Sequence, residues 1–270
     1  MLASSKGFRE IVSLLLKHGA DIDARDISEK TALLRAAQNG HLLTVEMLLL
    51  KGANMHFNAF DLGGEGGTAL IQAARNGHND VLQKLLNDGA EINTTELMFH
   101  HSALMVAALN GHLKSVKLLL NAGADPMLKD TSQRTALLLA ATNNHLSVVK
   151  QLVDAKQNGK QTDSNGNGIW HLMAMSYGQK NTEAVSSEIV KKEKYNFNLI
   201  KDLISQGISL DSINNDGETA LMIAVKRENL ELVKILLNLG ASPDIFSPDG
   251  ENALSLAETS GNIEILNLLR

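Results

Sequence analysis

The residues with most chemical potential in this sequence are its nine histidines, four of which recur in one context: Gly40-His41, Gly77-His78, Gly111-His112 and Asn144-His145. Imidazoles hold zinc, but two ligands of one ion need nitrogens within roughly 4 Å of each other, twice a bond of about 2.1 Å. Successive helices pack about 8–10 Å apart, so equivalent histidines on neighbouring helices cannot share an ion. They are expected to be first-turn scaffold residues. Asp21-Ile22-Asp23-Ala24-Arg25-Asp26 opens like a calcium loop, yet Asp26 stands where the sixth-position glycine is needed and Ala32 where the bidentate glutamate is needed. The glycine cluster Gly63-Gly64-Glu65-Gly66-Gly67 lacks the Lys-Ser/Thr of a phosphate cradle. Asn93-Thr94-Thr95 is a glycosylation sequon by letter, in a chain without a secretory signal. No nucleophile elbow, His-Glu-x-x-His or dinucleotide fingerprint occurs. The expectation is a protein that is not an enzyme, with no catalytic residue, metal or cofactor.

Bulk composition narrows the partners. The net charge is -5 and the pI near 6, the wrong sign for neutralising phosphates or coating an anionic membrane. No nucleic acid is expected. There is no cysteine, which removes disulfides, thiolate zinc sites and cysteine nucleophiles. The apolar run Ile11 to Leu16 is too brief and wrongly flanked for a signal peptide, and no stretch approaches a membrane span. A monomeric, cytoplasmic chain without membrane insertion is the expectation.

The elements that carry these residues repeat. Thr31-Ala32-Leu33-Leu34 with Ala36-Ala37, Thr68-Ala69-Leu70-Ile71 with Ala73-Ala74, Ser102-Ala103-Leu104-Met105 with Ala107-Ala108, and Thr135-Ala136-Leu137-Leu138 with Ala140-Ala141 can be superposed. Thr219-Ala220-Leu221-Met222 and Asn252-Ala253-Leu254-Ser255 continue the series. A turn glycine follows the block start by 21 positions at Gly52, Gly89, Gly123 and Gly240. Apolar residues recur at helical period within each half of a unit, as in Leu33, Ala36, Ala37 and then Val45, Leu48, Leu49. Two short antiparallel helices per unit follow. The block-start hydroxyls of Thr31, Thr68, Ser102 and Thr135 are expected to cap the first helix, and Gly40, Gly77 and Gly111 to end it in the left-handed conformation.

These residues resemble the ankyrin family motif: T-P-L-H, alanines, N-G-H, then L-L and G-A. The resemblance covers nearly the whole chain. It implies an all-α fold, an ankyrin-repeat solenoid of stacked antiparallel helix pairs with β-hairpin-like finger turns. Ala replaces the family's Pro, and Leu, Ile, Met or Ser its His, so the bonds that His makes are expected to give way to apolar packing. The one histidine in register is His171, in a unit with Gly168 at the threonine position. The units run 1–25 (partial), 26–62, 63–96, 97–129, 130–162, 163–213 with a helix–helix insertion at 179–196, 214–246 and 247–270 (partial) in one domain. In register the first starts inside its first helix and the last stops inside its second, which suggests a piece of a longer protein. The turn near Lys156 lacks its glycine, and a stability boundary is expected at 156–168.

The resemblance implies a protein or peptide partner held on the concave face of finger tips and first helices. Phe57, Phe60 and Phe99 fall in adjacent fingers where most repeats are polar, and exposed aromatics are the usual interface anchors. Arg75, Met98, His100, His101, Leu109, Arg134 and Arg227 occupy positions on the same face, His100 standing where the family prefers Gly. Trp170 replaces the motif leucine and is expected in the core. The alternative is the targeting arm of a larger enzyme or of a secreted bacterial effector acting in a host cytosol.

Overall fold

A helix begins at each block start because a side-chain oxygen is waiting for its first free amide. Thr31 Oγ1 accepts the Leu34 amide at 3.3 Å, Thr68 Oγ1 that of Ile71 at 3.4 Å, Ser102 Oγ that of Met105 at 3.3 Å and Thr219 Oγ1 that of Met222 at 3.2 Å. Such a cap contributes about 1 kcal/mol. Thr135 departs from the expectation. Its hydroxyl donates to Gln161 Oε1 at 2.6 Å, and the helix after it has no side-chain cap. The helices stop as expected, with Gly40, Gly77 and Gly111 left-handed at φ 74°, 70° and 73°. Asn144 and Glu228 make the same turn at φ 55° and 52° without glycine, at a cost of about 1 kcal/mol each.

The computed structural model describes residues 1–60, 63, 66–155, 160–176 and 201–270. They form two compact units, Met1–Thr131 and Ser132–Arg270. Among the described residues there is no helix long and apolar enough to cross a membrane.

The first unit holds four helix pairs: α1 (Leu2–Ser5) and α2 (Arg9–Lys17), α3 (Ala32–Gln38) and α4 (Leu42–Leu50), α5 (Ala69–Arg75) and α6 (Asn79–Asn87), α7 (Ala103–Leu109) and α8 (Leu113–Asn121). First helices pack on first helices and second on second, giving an inner and an outer layer. The alanine pairs 36–37, 73–74 and 107–108 are fully buried and let the inner layer close up. Val45, Leu48, Leu82, Leu85, Val116 and Leu119 are equally buried from the outer layer, each worth about 1.5–3 kcal/mol.

The recurring histidines lock neighbouring pairs together. His41 Nε2 donates to the Ser5 carbonyl at 2.9 Å, His78 Nε2 to Gln38 at 3.0 Å and His112 Nε2 to Arg75 at 3.0 Å, the tautomer those carbonyls require. Each ring sits where the preceding turn has no side chain. A Cβ built on Gly7, Gly40 or Gly77 would lie 2.7, 2.5 or 2.8 Å from the Nδ1 of His41, His78 or His112. The turn glycine is thus required twice, for its positive φ and as the seat of a ring.

The second unit contains α9 (Ala136–Thr142), α10 (Leu146–Asp154), α11 (Ile169–Ser176), α12 (residues 201–205), α13 (Ala220–Lys226), α14 (Leu230–Asn238), α15 (Ala253–Ser260) and α16 (Ile263–Leu269). Its inner layer runs α9, α11, α13, α15. Trp170 is core, as expected, 3% exposed with its indole N–H on the Ile208 carbonyl at 3.4 Å. The expected insertion at 179–196 and residues 156–159 of the expected stability boundary lie outside the described residues.

At the motif-histidine position Leu34, Ile71 and Leu138 are buried apolar packing, but the expectation fails in three other blocks. Met105 Sδ accepts the Ser102 amide and Met222 Sδ the Thr219 amide, both at 3.4 Å, and Ser255 Oγ accepts the Asn252 amide at 2.9 Å. A sulfur or a hydroxyl replaces the imidazole as acceptor. His171 keeps the ring itself. Its Nδ1 accepts the Gly168 amide at 3.1 Å while its Nε2 donates to the Glu218 carbonyl at 3.0 Å, tying finger 163–168 to finger 214–218. Burial pushes the His171 pKa below 6.5, against the opposing pull of the Glu218 and Ser212 carbonyls and of the Asp163 and Glu218 charges.

Candidate partner-binding face

The fingers at Asp26, Asp163 and Asn214 close on an acceptor side chain at the base. Asp26 Oδ1 accepts the amides of Ser28 at 2.9 Å and Lys30 at 3.1 Å, while Oδ2 receives Arg35 Nε at 2.8 Å and Nη2 at 2.7 Å. Burial works against its ionisation. The Arg35 bond and charge with the two amides outweigh that, holding the carboxyl below its ordinary 3.8. Asp163 accepts from Asn165 and Asn167, and Asn214 from Asp216 and Glu218. The acidic run before Asp26 is spent the same way, Asp21 on the Asp23 amide and Asp23 on the Asn54 amide.

The finger before α7 is built differently. Its closing bond joins the Glu96 amide to the His101 carbonyl, whereas Asp26, Asp163 and Asn214 bond four residues on. One residue more must be spanned, and a glutamate, longer by a methylene, spans it. Glu96 accepts the amides of Met98 at 2.6 Å, Phe99 at 2.8 Å and His101 at 3.1 Å, and is itself 1% exposed. With the backbone pinned from within, the side chains point out: Leu97 is 53% exposed, Met98 37% and Phe99 39%. His100 takes the left-handed conformation at φ 60° and is exposed, in keeping with a position that favours glycine. Neighbouring fingers add rungs, Thr131 amide to Phe99 carbonyl at 3.0 Å and Asn58 Nδ2 to Thr95 carbonyl at 2.9 Å. Among the described residues the finger turns are hairpin-like only as isolated antiparallel bridges, Ala59 with Gly67 and Thr95 with Ser102.

The expected site residues divide. Phe60 is 46% exposed and stands free on its finger with Met98, Phe99 and His100 on theirs. Phe57 is half-buried, with the Arg25 guanidinium 4.6 Å above its ring, so it belongs to the contact between fingers. Arg75 and Leu109 are half-buried at the ends of α5 and α7. His101 needs correction. It is 6% exposed, its Nε2 3.4 Å from Asp130 Oδ2, its Nδ1 3.8 Å from Glu96 Oε1 and its ring 5.7 Å from that of Phe99, and so supports the tip from beneath. Arg134 is half-buried in the second unit, where exposed Arg227 donates to the Met175 carbonyl at 2.7 Å. Beside it Lys226 is held above its ordinary 10.5, first by its bond to Glu218 at 2.6 Å and then, against some burial, by the Glu218 and Glu251 charges. Sequence reasoning missed Leu97 and the clasp Glu96. The available signal was a glutamate one position early relative to the aspartates of other fingers. Gly64 and Glu65, in the extended finger, lie outside the described residues.

An open depression of about 320 Å³ runs beside Trp170, bordered by Gln161, Thr162, Ile208 and Ser212. Among the described residues that line it, Lys160 is the one charged side chain, and they assemble no acid–base pair.

Stacked helix pairs joined by fingers, with an apolar tip held on a buried clasp, define a repeat protein of the interaction-module type. The chain matches the family model described as ankyrin repeats (3 copies) over residues 1–96, 104–187 and 187–270, and it belongs to that family. It is similar to a probable E3 ubiquitin-protein ligase, XBOS32, of Oryza sativa subsp. japonica, 44% identical over 62 residues, 23% of this chain and 12% of that one. The B-cell lymphoma 3 protein homolog of Mus musculus is 48% identical over 56 residues, 20% of this chain and 12% of the relative. Ankyrin repeat and KH domain-containing protein 1 of Homo sapiens is 46% identical over 55 residues, 20% and 2% respectively. The matched stretches thus span an eighth or less of these relatives' lengths.

Proposed function

We propose that this chain binds a protein or peptide partner on the face made by its fingers and inner helices, with Phe60, Leu97, Met98 and Phe99 as anchors and Arg75, His100 and Leu109 flanking them. One observation carries the reading: three consecutive apolar side chains are held outward on a backbone whose amides a buried glutamate satisfies. An apolar loop without such a clasp collapses onto its own protein, whereas a preorganised one spends little entropy on binding. Arg134 and Arg227 offer a second, basic stretch on the other unit, suited to an acidic segment. The family's general role in protein–protein interaction supports this reading, and nothing in the chemistry of the described residues calls for catalysis. The alternative, a targeting arm whose chemistry lies elsewhere in a longer protein, draws support from the E3 ligase that shares one stretch of these repeats.

The test is capture of partners from lysate followed by affinity measurement on the isolated pair, with wild type and with Phe60→Ala and Phe99→Ala. Each substitution should weaken binding by about 2 kcal/mol, roughly 30-fold. Unchanged affinity in both variants defeats the assignment.

A further inference from the structure

The outer layer of the first unit carries one helix whose solvent face does not match its neighbours. Leu43 and Leu50 of α4 are 60% and 88% exposed. The same two positions hold Asp80 and Asn87 in α6, Lys114 and Asn121 in α8, and Glu231 and Asn238 in α14, all polar and exposed. α4 packs between α2 and α6, so the exposure does not arise at an end of the stack. Leu43, Met47 and Leu50 fall at i, i+4 and i+7, which lines them up as one stripe, with Met47 half-buried at its middle. An apolar stripe in a layer whose other solvent positions are polar marks a contact surface.

The charges beside the stripe point to what covers it. In the neighbouring α2, Glu10 and Lys17 stand in register with Leu43 and Leu50, exposed in its first and last turns. On the other side Asp80 and Asn87 take those places in α6. A half-turn about an axis across the middle of α4 exchanges first turns with last turns. It sets Leu43 against Leu50 of a second copy, Met47 against Met47, Asp80 against Asn87, and Glu10 against Lys17 twice over. In register nearest the axis are Glu46 of α4 and Lys84 of α6, of opposite sign, and Lys84 is also held by Asp88 at 2.7 Å. The face is complementary to itself, and the antiparallel helix dipoles add to the match.

We propose that a second copy of this chain docks on α4 through a two-fold, antiparallel contact, the stripe of Leu43, Met47 and Leu50 in one copy lying against that of the other. Because one patch serves both copies, the contact closes on itself and stops at a dimer. The face of α2, α4 and α6 is about 13 Å long and roughly 20 Å across. That is small for a specific interface, so the association is expected to be reversible and to depend on concentration. It belongs to the outer layer, apart from the fingers, and does not depend on the partner-binding reading. It departs from the monomer expected from the sequence.

Sedimentation velocity of the 270-residue chain across roughly two decades of concentration tests it. Wild type should pass from monomer to dimer mass and no further. Leu50→Glu, at an exposed position, should keep wild-type helicity and sediment as monomer throughout. Glu10→Lys and Lys17→Glu should each raise the dimer dissociation constant roughly 5-fold, since like charges then face each other across the axis. An equimolar mixture of those two variants should recover the lost affinity, because each copy then faces its opposite. Wild type that stays monomeric overturns the proposal, whatever else binds α4. So does a mass that climbs past dimer, or Leu50→Glu that dimerises like wild type. A mixture no tighter than its components overturns the antiparallel arrangement.

Discussion

His171 is the place where a single proton should be felt most. Both ring nitrogens are committed, one accepting from Gly168 and one donating to Glu218, in a side chain with no exposed surface. His171→Leu removes both bonds, leaving the half-buried Gly168 amide without its acceptor while the Glu218 carbonyl keeps the Asn214 amide. At about 1–3 kcal/mol for the amide left unsatisfied and about 1 kcal/mol for the bond lost at the carbonyl, less what the leucine gains by burial, the expected loss is about 1–3 kcal/mol. The same geometry fixes the pH dependence. The folded-state pKa is depressed below 6.5, so the unfolded chain takes up a proton before the native one. This stabilisation is present above 6.5 and is lost as pH falls through the folded value. Trp170 precedes His171 in the chain and is the only tryptophan, so its fluorescence during urea unfolding reads the second unit directly. Wild type should lose more stability than His171→Leu between about pH 7.5 and about pH 5, the difference cancelling contributions from other titrating groups. Equal losses in the two proteins would refute the assignment of the proton to His171. A variant within about 0.5 kcal/mol of wild type at the higher pH would refute the role of the two bonds.

Two further substitutions separate backbone from packing. Gly40→Ala and Gly52→Ala both place a Cβ at positive φ, 74° and 85°, but only at Gly40 does it meet a ring, 2.5 Å from His78 Nδ1. Thermal unfolding should show a conformational cost of about 1–2 kcal/mol for Gly52→Ala and at least about 1 kcal/mol more for Gly40→Ala; equal costs would mean that the ring moves aside freely. Glu96→Ala deprives three amides of their acceptor, and hydrogen exchange at Met98 and Phe99 should quicken by one order of magnitude or more, about 1.4 kcal/mol of lost protection per decade. Unchanged exchange there would show that the tip is held by something other than the carboxylate.

The order of elements was legible in the residues because a repeat states each local requirement several times over. Hydroxyl, alanine pair and glycine recur at constant spacing, and each answers to a contact within its own turn or the adjoining one, so one sequence suffices to place helices, caps and the buried Trp170. Side-chain exposure at the fingers was less legible. His101 and Phe99 are two residues apart in one loop, yet one is buried between Glu96 and Asp130 and the other points out. Phe57 and Phe60 share a finger, yet one lies beneath Arg25, more than thirty positions earlier in the sequence. The departure at Thr135 has the same origin, its hydroxyl turning to an acceptor on Gln161 that lies far along the sequence. Sequence thus determined what the period of the helix and the φ of a turn dictate, since these are local. Which side of a finger faces water and which histidine is a strut were decided by packing between turns some 33 residues apart, where burial depends on a neighbour that the local pattern does not contain.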